Sequence, residues 1–196
     1  TGRLSSSNPN LQNIPLQREW GAKIREGFVA KKGFSLVSFD YSQVELRIAS
    51  HIAGEDRMQE IFKEGRDIHR ETAAAVFGVK DKDVTPQMRF KAKALNFGIL
   101  YGMGARGFAF AAGVSFEEAQ DFIDNYFLQF PRIAQYMQDT IESTQELGYA
   151  ETLFGRKRYL PDIHSNTPHI RAAAERVAVN HPIQGTQADI IKMAMV

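Results

Sequence analysis

The segment PQMRFKAKALNFGILYG, Pro86 to Gly102, sets the strongest constraint on how this chain can fold. At about 100° per residue, Met88, Ala92, Leu95 and Ile99 fall on one stripe, an arrangement that makes an α-helix and calls for a core beneath it. Arg89, Lys93, Phe97 and Tyr101 follow at four-residue steps on the opposite side. Two cations followed by two large rings suit neither an ordinary solvated face nor a core face. The cations stand in the first turns, where the helix dipole already favours anions, and the rings occupy positions that the first core does not need. A phosphate at one end and a flat base at the other would satisfy this face. A second packing layer around Phe97 and Tyr101 would satisfy it equally well.

The rest of the chain reads as further helices with few strands. Helical periodicity predicts helices near 57–64, 67–77, 85–102, 115–129 and 131–147, and from Gln43 onward Val44, Ile48 and Ile52 form another stripe. Thr85 before Pro86 is an N-cap with proline at the first helical position, and Ser115 with Glu118 spells a capping box. Phe34 to Phe39 is a continuous apolar, β-prone run after Gly33 and reads as a buried strand. Tyr149 to Pro161 reads as a β-hairpin turning near Gly155, and a last helical region starts near Pro168 with an interruption at Pro182. Residues 1–17 carry no period, and a short helix or turn is expected from Glu19 to Gly27. The expected class is α+β, with a helical insertion separating parts of one sheet.

Composition bounds the function. With 196 residues, 43% of them hydrophobic, and 14 phenylalanines, the chain can bury a core. The absence of cysteine excludes disulfides, thiolate metal sites and cysteine nucleophiles, and fits a reducing, cytoplasmic setting. No apolar run approaches the roughly 20 residues that span a bilayer, so no membrane partner is expected. Net charge is only +1, below what a nucleic-acid binder usually carries, yet the charge is segregated. Residues 1–33 hold six Lys/Arg against two acids, residues 86–106 four against none, and residues 114–146 one against seven. One surface can be basic while another is acidic. The chain begins without methionine and ends inside an apolar helical pattern, which reads as a piece of something longer.

Two further groups bear on chemistry. Arg66 and His69 lie near the start of a helix, where backbone N–H groups could also meet an anion. Asp40 ends the expected strand, a place where a carboxylate could hold a hard cation such as Mg²⁺. Spacing alone favours a cap on the next helix over a metal ligand, by Asp40 or by Ser42, which forms an S-x-x-E pattern with Glu45. No HExxH, P-loop or GxSxG pattern occurs.

Five segments, in order along the whole chain, resemble motifs of the family A DNA polymerases. DYSQVELRIASH resembles motif A, RFKAKALNFGILYG motif B, and TGRLSSSNPNLQNIP a primer-contacting leading segment; ETLFGRKRYLPD and NHPIQGTQAD resemble later palm and fingers segments. The resemblance implies the right-hand fold, with a mostly helical fingers insertion on part of an antiparallel palm sheet. Residues 1–54 would be palm, 55–148 fingers, and 149–196 a return to the palm. It implies a DNA-directed DNA polymerase of replication and repair, acting as a monomer on primer-template DNA and dNTP with two Mg²⁺ ions.

Residue by residue, the resemblance makes Asp40 and the Tyr41 carbonyl metal ligands, and Asp40 and Lys93 the catalytic residues. Gln43, Glu45, His69, Arg89, Lys93, Phe97 and Tyr101 become nucleotide-binding, with Glu45 a steric gate against a ribose 2′-OH. Arg3, Asn13, Tyr101, Asn180 and Gln184 become DNA-binding; donors there would test minor-groove shape at every base pair without reading sequence. Phe90 departs from the arginine that is frequent at its place. The family's motif C, which supplies a second metal-binding aspartate, would lie beyond Val196, so the isolated chain is expected not to polymerise. The alternatives are a non-catalytic nucleic-acid-binding module, which has no use for Asp40, and a metal-dependent phosphohydrolase, which has none for Phe97 and Tyr101.

Overall fold

The computed structural model describes residues 2–15 and 19–196. Of the expected irregular segment 1–17, residues Thr1, Leu16 and Gln17 lie outside the described residues. Contacts group the chain into two units, residues 2–42 and residues 43–196.

In the first unit the one regular piece before Pro15 is a 3-10 turn at Leu11–Asn13, capped by the Asn10 side chain, which accepts from the Gln12 N–H. The Ser6 hydroxyl donates to the Pro9 carbonyl at 3.1 Å and accepts from the Leu11 N–H at 3.2 Å. Helix α1 (Glu19–Glu26) forms where a short helix was expected. A Cβ at Gly21 would come within 2.0 Å of the Pro15 carbonyl oxygen, so this close approach requires glycine.

The buried strand expected at 34–39 does not form. Phe34, Leu36, Val37 and Phe39 are 69% to 93% exposed, and the segment has no regular structure. A strand exists only as a member of a ladder that satisfies its N–H and C=O groups, and the one ladder among the described residues lies elsewhere. The apolar run was a sound signal of hydrophobicity, but a run carries no information about its partner.

The second unit is helical: α2 (Val44–Ala53), α3 (Asp56–Lys63), α4 (Ile68–Phe77), α5 (Pro86–Leu100), α6 (Ala105–Ala112), α7 (Phe116–Gln129), α8 (Pro131–Leu147) and α9 (Pro168–Ala194). The periodic segments of the sequence all became helices. The Thr85 cap (3.2 Å to the Met88 N–H) and the reciprocal Ser115–Glu118 capping box are both present. Ala92, Leu95 and Ile99 of α5 are nearly fully buried, as their stripe required. Leu95 and Ile99 join a core built from Leu46 of α2, Met58 of α3, Ile68 of α4, Phe108 of α6, Tyr126 of α7, Ile133 of α8 and Ile183 of α9, while Ala92 packs in a smaller cluster with Ala73 and Val84.

Helix α6 was not foreseen. Its sequence, ARGFAFAA, has only Ala105 and Phe108 to mark a buried face. Helix α2 starts at Val44 with Gln43 as its N-cap, rather than Asp40 or Ser42; Gln43 stands in the left-handed region (φ 52°), and its own side chain makes no cap hydrogen bond. Helix α8 has no side-chain cap from its own N-cap; instead the buried carboxylate of Glu55 accepts from the Arg132 N–H at 3.0 Å.

The expected hairpin is there, as strands β1 (Tyr149–Glu151) and β2 (Lys157–Tyr159), antiparallel, with Ala150 opposite Arg158. It seats on α9 through a small cluster that includes Ala150, Leu160, Ala174 and Ala178. The Asp189 carboxylate on α9 accepts from the Thr152 hydroxyl at 3.1 Å and from Arg156 Nε at 3.0 Å. Helix α9 itself runs unbroken through Pro182, contrary to the expected interruption. Pro182 is buried between Val179 and Ile183, so packing on both sides holds the helix together. The Tyr136 hydroxyl donates to the Val179 carbonyl at 2.8 Å, tying α8 to the turn of α9 that precedes the proline.

Candidate nucleotide-binding face

Helix α5 brings three of the four residues on its second face into contact with other elements. Tyr101 lies twelve residue steps beyond Arg89, about 18 Å along a helix axis. At the first end, Arg89 Nε donates to the Asp67 carboxylate at 2.6 Å. Asp67 is also the N-cap of α4, accepting from the N–H groups of His69 (3.0 Å) and Arg70 (3.3 Å). The expectation that this helix terminus meets an anion therefore fails: a carboxylate of the chain already occupies it. Arg66 is drawn away as well, paired with Glu64 at 2.6 Å and Glu71 at 2.7 Å. Partial burial alone would raise the Asp67 carboxyl. The Arg89 guanidinium and the two N–H groups outweigh it and hold the carboxyl below its ordinary value.

His69, which alone would pass for a surface histidine, is 2% exposed. Its ring packs against Phe97 at 5.7 Å between centroids, inclined by 47°. Burial pushes the imidazole down to about 4; Asp67 draws it upward, and the Arg89 and Lys93 cations push it down. At neutral pH the ring is uncharged. Asn96, buried on the inner side of α5, contacts His69 Nδ1 at 3.1 Å and Thr72 Oγ1 at 3.1 Å. Sequence reasoning passed over Asn96; a polar residue inside an otherwise apolar helical stripe was the available signal.

Lys93 is exposed, whereas Phe97 is half-buried and packs on the main core. The second-layer reading of this face is thus met in part by Phe97, while the cationic end stays open to solvent. At the far end, Tyr101 is the C-cap of α5 and donates its hydroxyl to the Glu45 carboxylate, which is 7% exposed in the first turn of α2. Gly102 follows with φ +68°, and a Cβ there would lie 2.5 Å from Arg176 Cγ. Tyr101 is thereby delivered close to α9, one turn before Asn180. Asn180 and Gln184 are half-buried and four residues apart on α9, hence on one face. Gln43 is half-buried at the N-cap of α2, and Phe90 is 63% exposed.

The remaining candidates belong to the first unit. Arg3 and Asn13 are exposed, Asn13 closing the 3-10 turn. Asp40 and Tyr41 are exposed in the irregular stretch before α2. Among the described residues no group of three or more His, Asp or Glu side chains is placed to hold a metal on its own. An exposed carboxylate is still a fit oxygen donor for Mg²⁺, which ordinarily takes one or two carboxylates together with substrate phosphates and water.

Comparison with known proteins adds a family. The profile of "DNA polymerase family A" matches residues 1–196. The "DNA polymerase I, thermostable" of Thermus aquaticus is 50% identical over 196 residues, covering 100% of this chain and 24% of that protein. The DNA polymerase I of Pseudomonas aeruginosa is 53% identical over 196 residues, covering 100% of this chain and 22% of that protein. This chain spans about a quarter of the length of these relatives. Among solved structures, the POL domain of Pol1 from M. smegmatis, in complex with DNA primer-template and dNTP, matches with a TM-score of 0.90 at 42% identity, over 98% of this chain and 34% of that one.

Proposed function

This chain belongs to DNA polymerase family A, and from that premise we propose that it supplies the nucleotide-binding face and part of the metal site of a DNA-directed DNA polymerase. The observation that carries the reading is the second face of α5, where Lys93 stands in solvent between Arg89 and the His69–Phe97 pair. Arg89, Lys93 and His69 take the triphosphate of an incoming dNTP, and Phe97 packs against its sugar and base. Tyr101 stands beside the templating base. Glu45, with Gln43 at the same helix start, lines the sugar side and excludes a 2′-OH. Arg3, Asn13, Asn180 and Gln184 contact primer-template DNA.

In the reaction the primer 3′-OH releases its proton to water as its oxygen bonds to the α-phosphorus, and the bond to the pyrophosphate oxygen breaks. Lys93 and Arg89 offset the charge that gathers on the leaving pyrophosphate. Asp40 and the Tyr41 carbonyl would hold Mg²⁺, which when bound supplies Lewis-acid stabilisation of the reacting oxygens. Residues 1–54 and 149–196 are assigned to the palm and 55–148 to the fingers of a cytoplasmic monomer. This chain spans about a quarter of the length of its relatives, and the isolated chain is expected to bind nucleotide or DNA weakly and not to extend primers.

The test is primer extension by a complete polymerase carrying these residues. Asp40→Asn is expected to abolish the chemical step, and Lys93→Ala to raise the KM for dNTP more than it alters DNA binding. Unimpaired extension by Asp40→Asn would remove the metal role. Duplex binding that falls with salt and persists with no nucleotide dependence would leave a plain nucleic-acid-binding module.

A further inference from the structure

Asn96 is fully buried, so each hydrogen of its amide needs an acceptor. The Thr72 hydroxyl has one hydrogen, and the Ile68 carbonyl at 2.8 Å, which can only accept, takes it. Thr72 Oγ1 is then left as an acceptor for Asn96 Nδ2 at 3.1 Å. The second amide hydrogen points at His69 Nδ1, also at 3.1 Å. With the amide turned over, one N–H would be buried facing no acceptor, whereas in this orientation the only under-used atom is a carbonyl oxygen 3.3 Å from Thr72 Oγ1, the more tolerable deficit. The chain of donors therefore runs in one direction. It requires His69 Nδ1 to be a bare lone pair and puts the ring proton on Nε2.

We propose that Asn96 is a positioning residue for the reaction: it fixes His69 as the neutral Nε2–H tautomer, so that the ring presents one hydrogen-bond donor, and no charge, to a phosphate oxygen of the incoming nucleotide. The inference rests on the reading of Arg89, Lys93 and His69 as triphosphate ligands. Protonating His69 would set an Nδ1–H against the Asn96 N–H, donor against donor, in a buried site already beside Arg89 and Lys93. The low basicity of the ring agrees with this. The chemical consequence is a phosphate contact whose strength does not change across neutral pH.

Two readouts test it in a complete polymerase that carries these residues. Nitrogen NMR of isotopically labelled histidine is expected to show His69 at pH 7 as Nε2–H with Nδ1 unprotonated. Asn96→Ala should give a tautomer mixture, and Asn96→Asp, whose carboxylate accepts from Nδ1–H, an imidazolium. Titration with dATP and Mg²⁺ should show about a three- to tenfold loss of affinity for Asn96→Ala, the worth of roughly one hydrogen bond. That loss should not add to the loss in His69→Ala. In Asn96→Asp the affinity should become pH-dependent near neutrality. An Nδ1–H tautomer in the parent protein, or an unchanged His69 titration in Asn96→Asp, overturns the proposal. Loss of affinity in Lys93→Ala with none in Asn96→Ala overturns it and spares the triphosphate reading; no loss in either variant overturns both.

Discussion

The Tyr101 hydroxyl donates to the Glu45 carboxylate, joining the C-terminal end of α5 to the first turn of α2 across 56 residues of sequence. Glu45 is buried at this point in the first turn of α2, and the phenol donor helps to make a carboxylate tolerable there. Tyr101→Phe removes the donor and leaves the burial. It is expected to cost about 1–3 kcal/mol in urea unfolding, with Glu45→Gln costing less because a neutral amide is easier to bury. Equal midpoints for Tyr101→Phe and the parent protein would show that the contact carries no weight.

The pair of Asp67 and Arg89 makes a different expectation, because Asp67 does two things at once. It caps α4 through the N–H groups of His69 and Arg70, and it holds Arg89. Asp67→Ala should destabilise the chain by about 1 kcal/mol, mainly through the lost cap, since the ion pair is partly exposed and screened. It should also leave Arg89 more mobile and weaken triphosphate binding. Because the folded carboxyl lies below its ordinary value of 3.8, this stabilisation is present above about pH 4 and is lost as the pH falls through the folded value. Acid unfolding of Asp67→Ala should accordingly show a shallower decline than that of the parent.

What could be read from sequence followed what is local. The helix stripes, the Thr85 cap, the Ser115–Glu118 box and the turn at Gly155 are each set by neighbours within a few residues, and each formed. Phe34 to Phe39 failed because a strand depends on a partner that its own residues do not specify. Pro182 misled because burial on both flanks outweighs a local breaker. On the candidate site, the cation and ring stripe was visible in its spacing. The contacts that make it a site were not: Asp67 to Arg89 spans 22 residues, and Asn96 to His69 spans 27. Periodicity sees one helix at a time, and these bonds join two.

The passage of α9 through Pro182 yields an expectation about Tyr136. Its hydroxyl reaches the Val179 carbonyl at 2.8 Å, three residues before the proline, and burial holds the phenol neutral well above its ordinary range. Tyr136→Phe should cost about 1 kcal/mol and speed amide exchange in the turn around Pro182 more than at either end of α9. Pro182→Ala restores an N–H that faces the Ala178 carbonyl, not the Val179 carbonyl that Tyr136 reaches, so the two substitutions should be nearly additive in a double-mutant cycle. A strong coupling between them would show that the hydroxyl and the proline turn act as one unit.

His69 makes the pH dependence of folding specific. Its folded value is about 4 against 6.5 for the free side chain, and the groups that set it are the burial of the ring, Asp67 on its own helix start, and Arg89 and Lys93 across on α5. Between those two values the unfolded chain binds a proton that the folded chain does not, so stability rises with pH through this window and levels off above about 6.5. The full difference corresponds to about 3 kcal/mol, to be lost on going from pH 7 to below pH 4. Urea unfolding at several pH values should show this slope in the parent chain. His69→Gln, whose side-chain carbonyl can still accept from Asn96, should flatten it between pH 4 and 6.5 while leaving the decline below pH 4, where carboxylates such as Asp67 titrate. An unchanged slope in His69→Gln would mean that some other group releases the proton on folding.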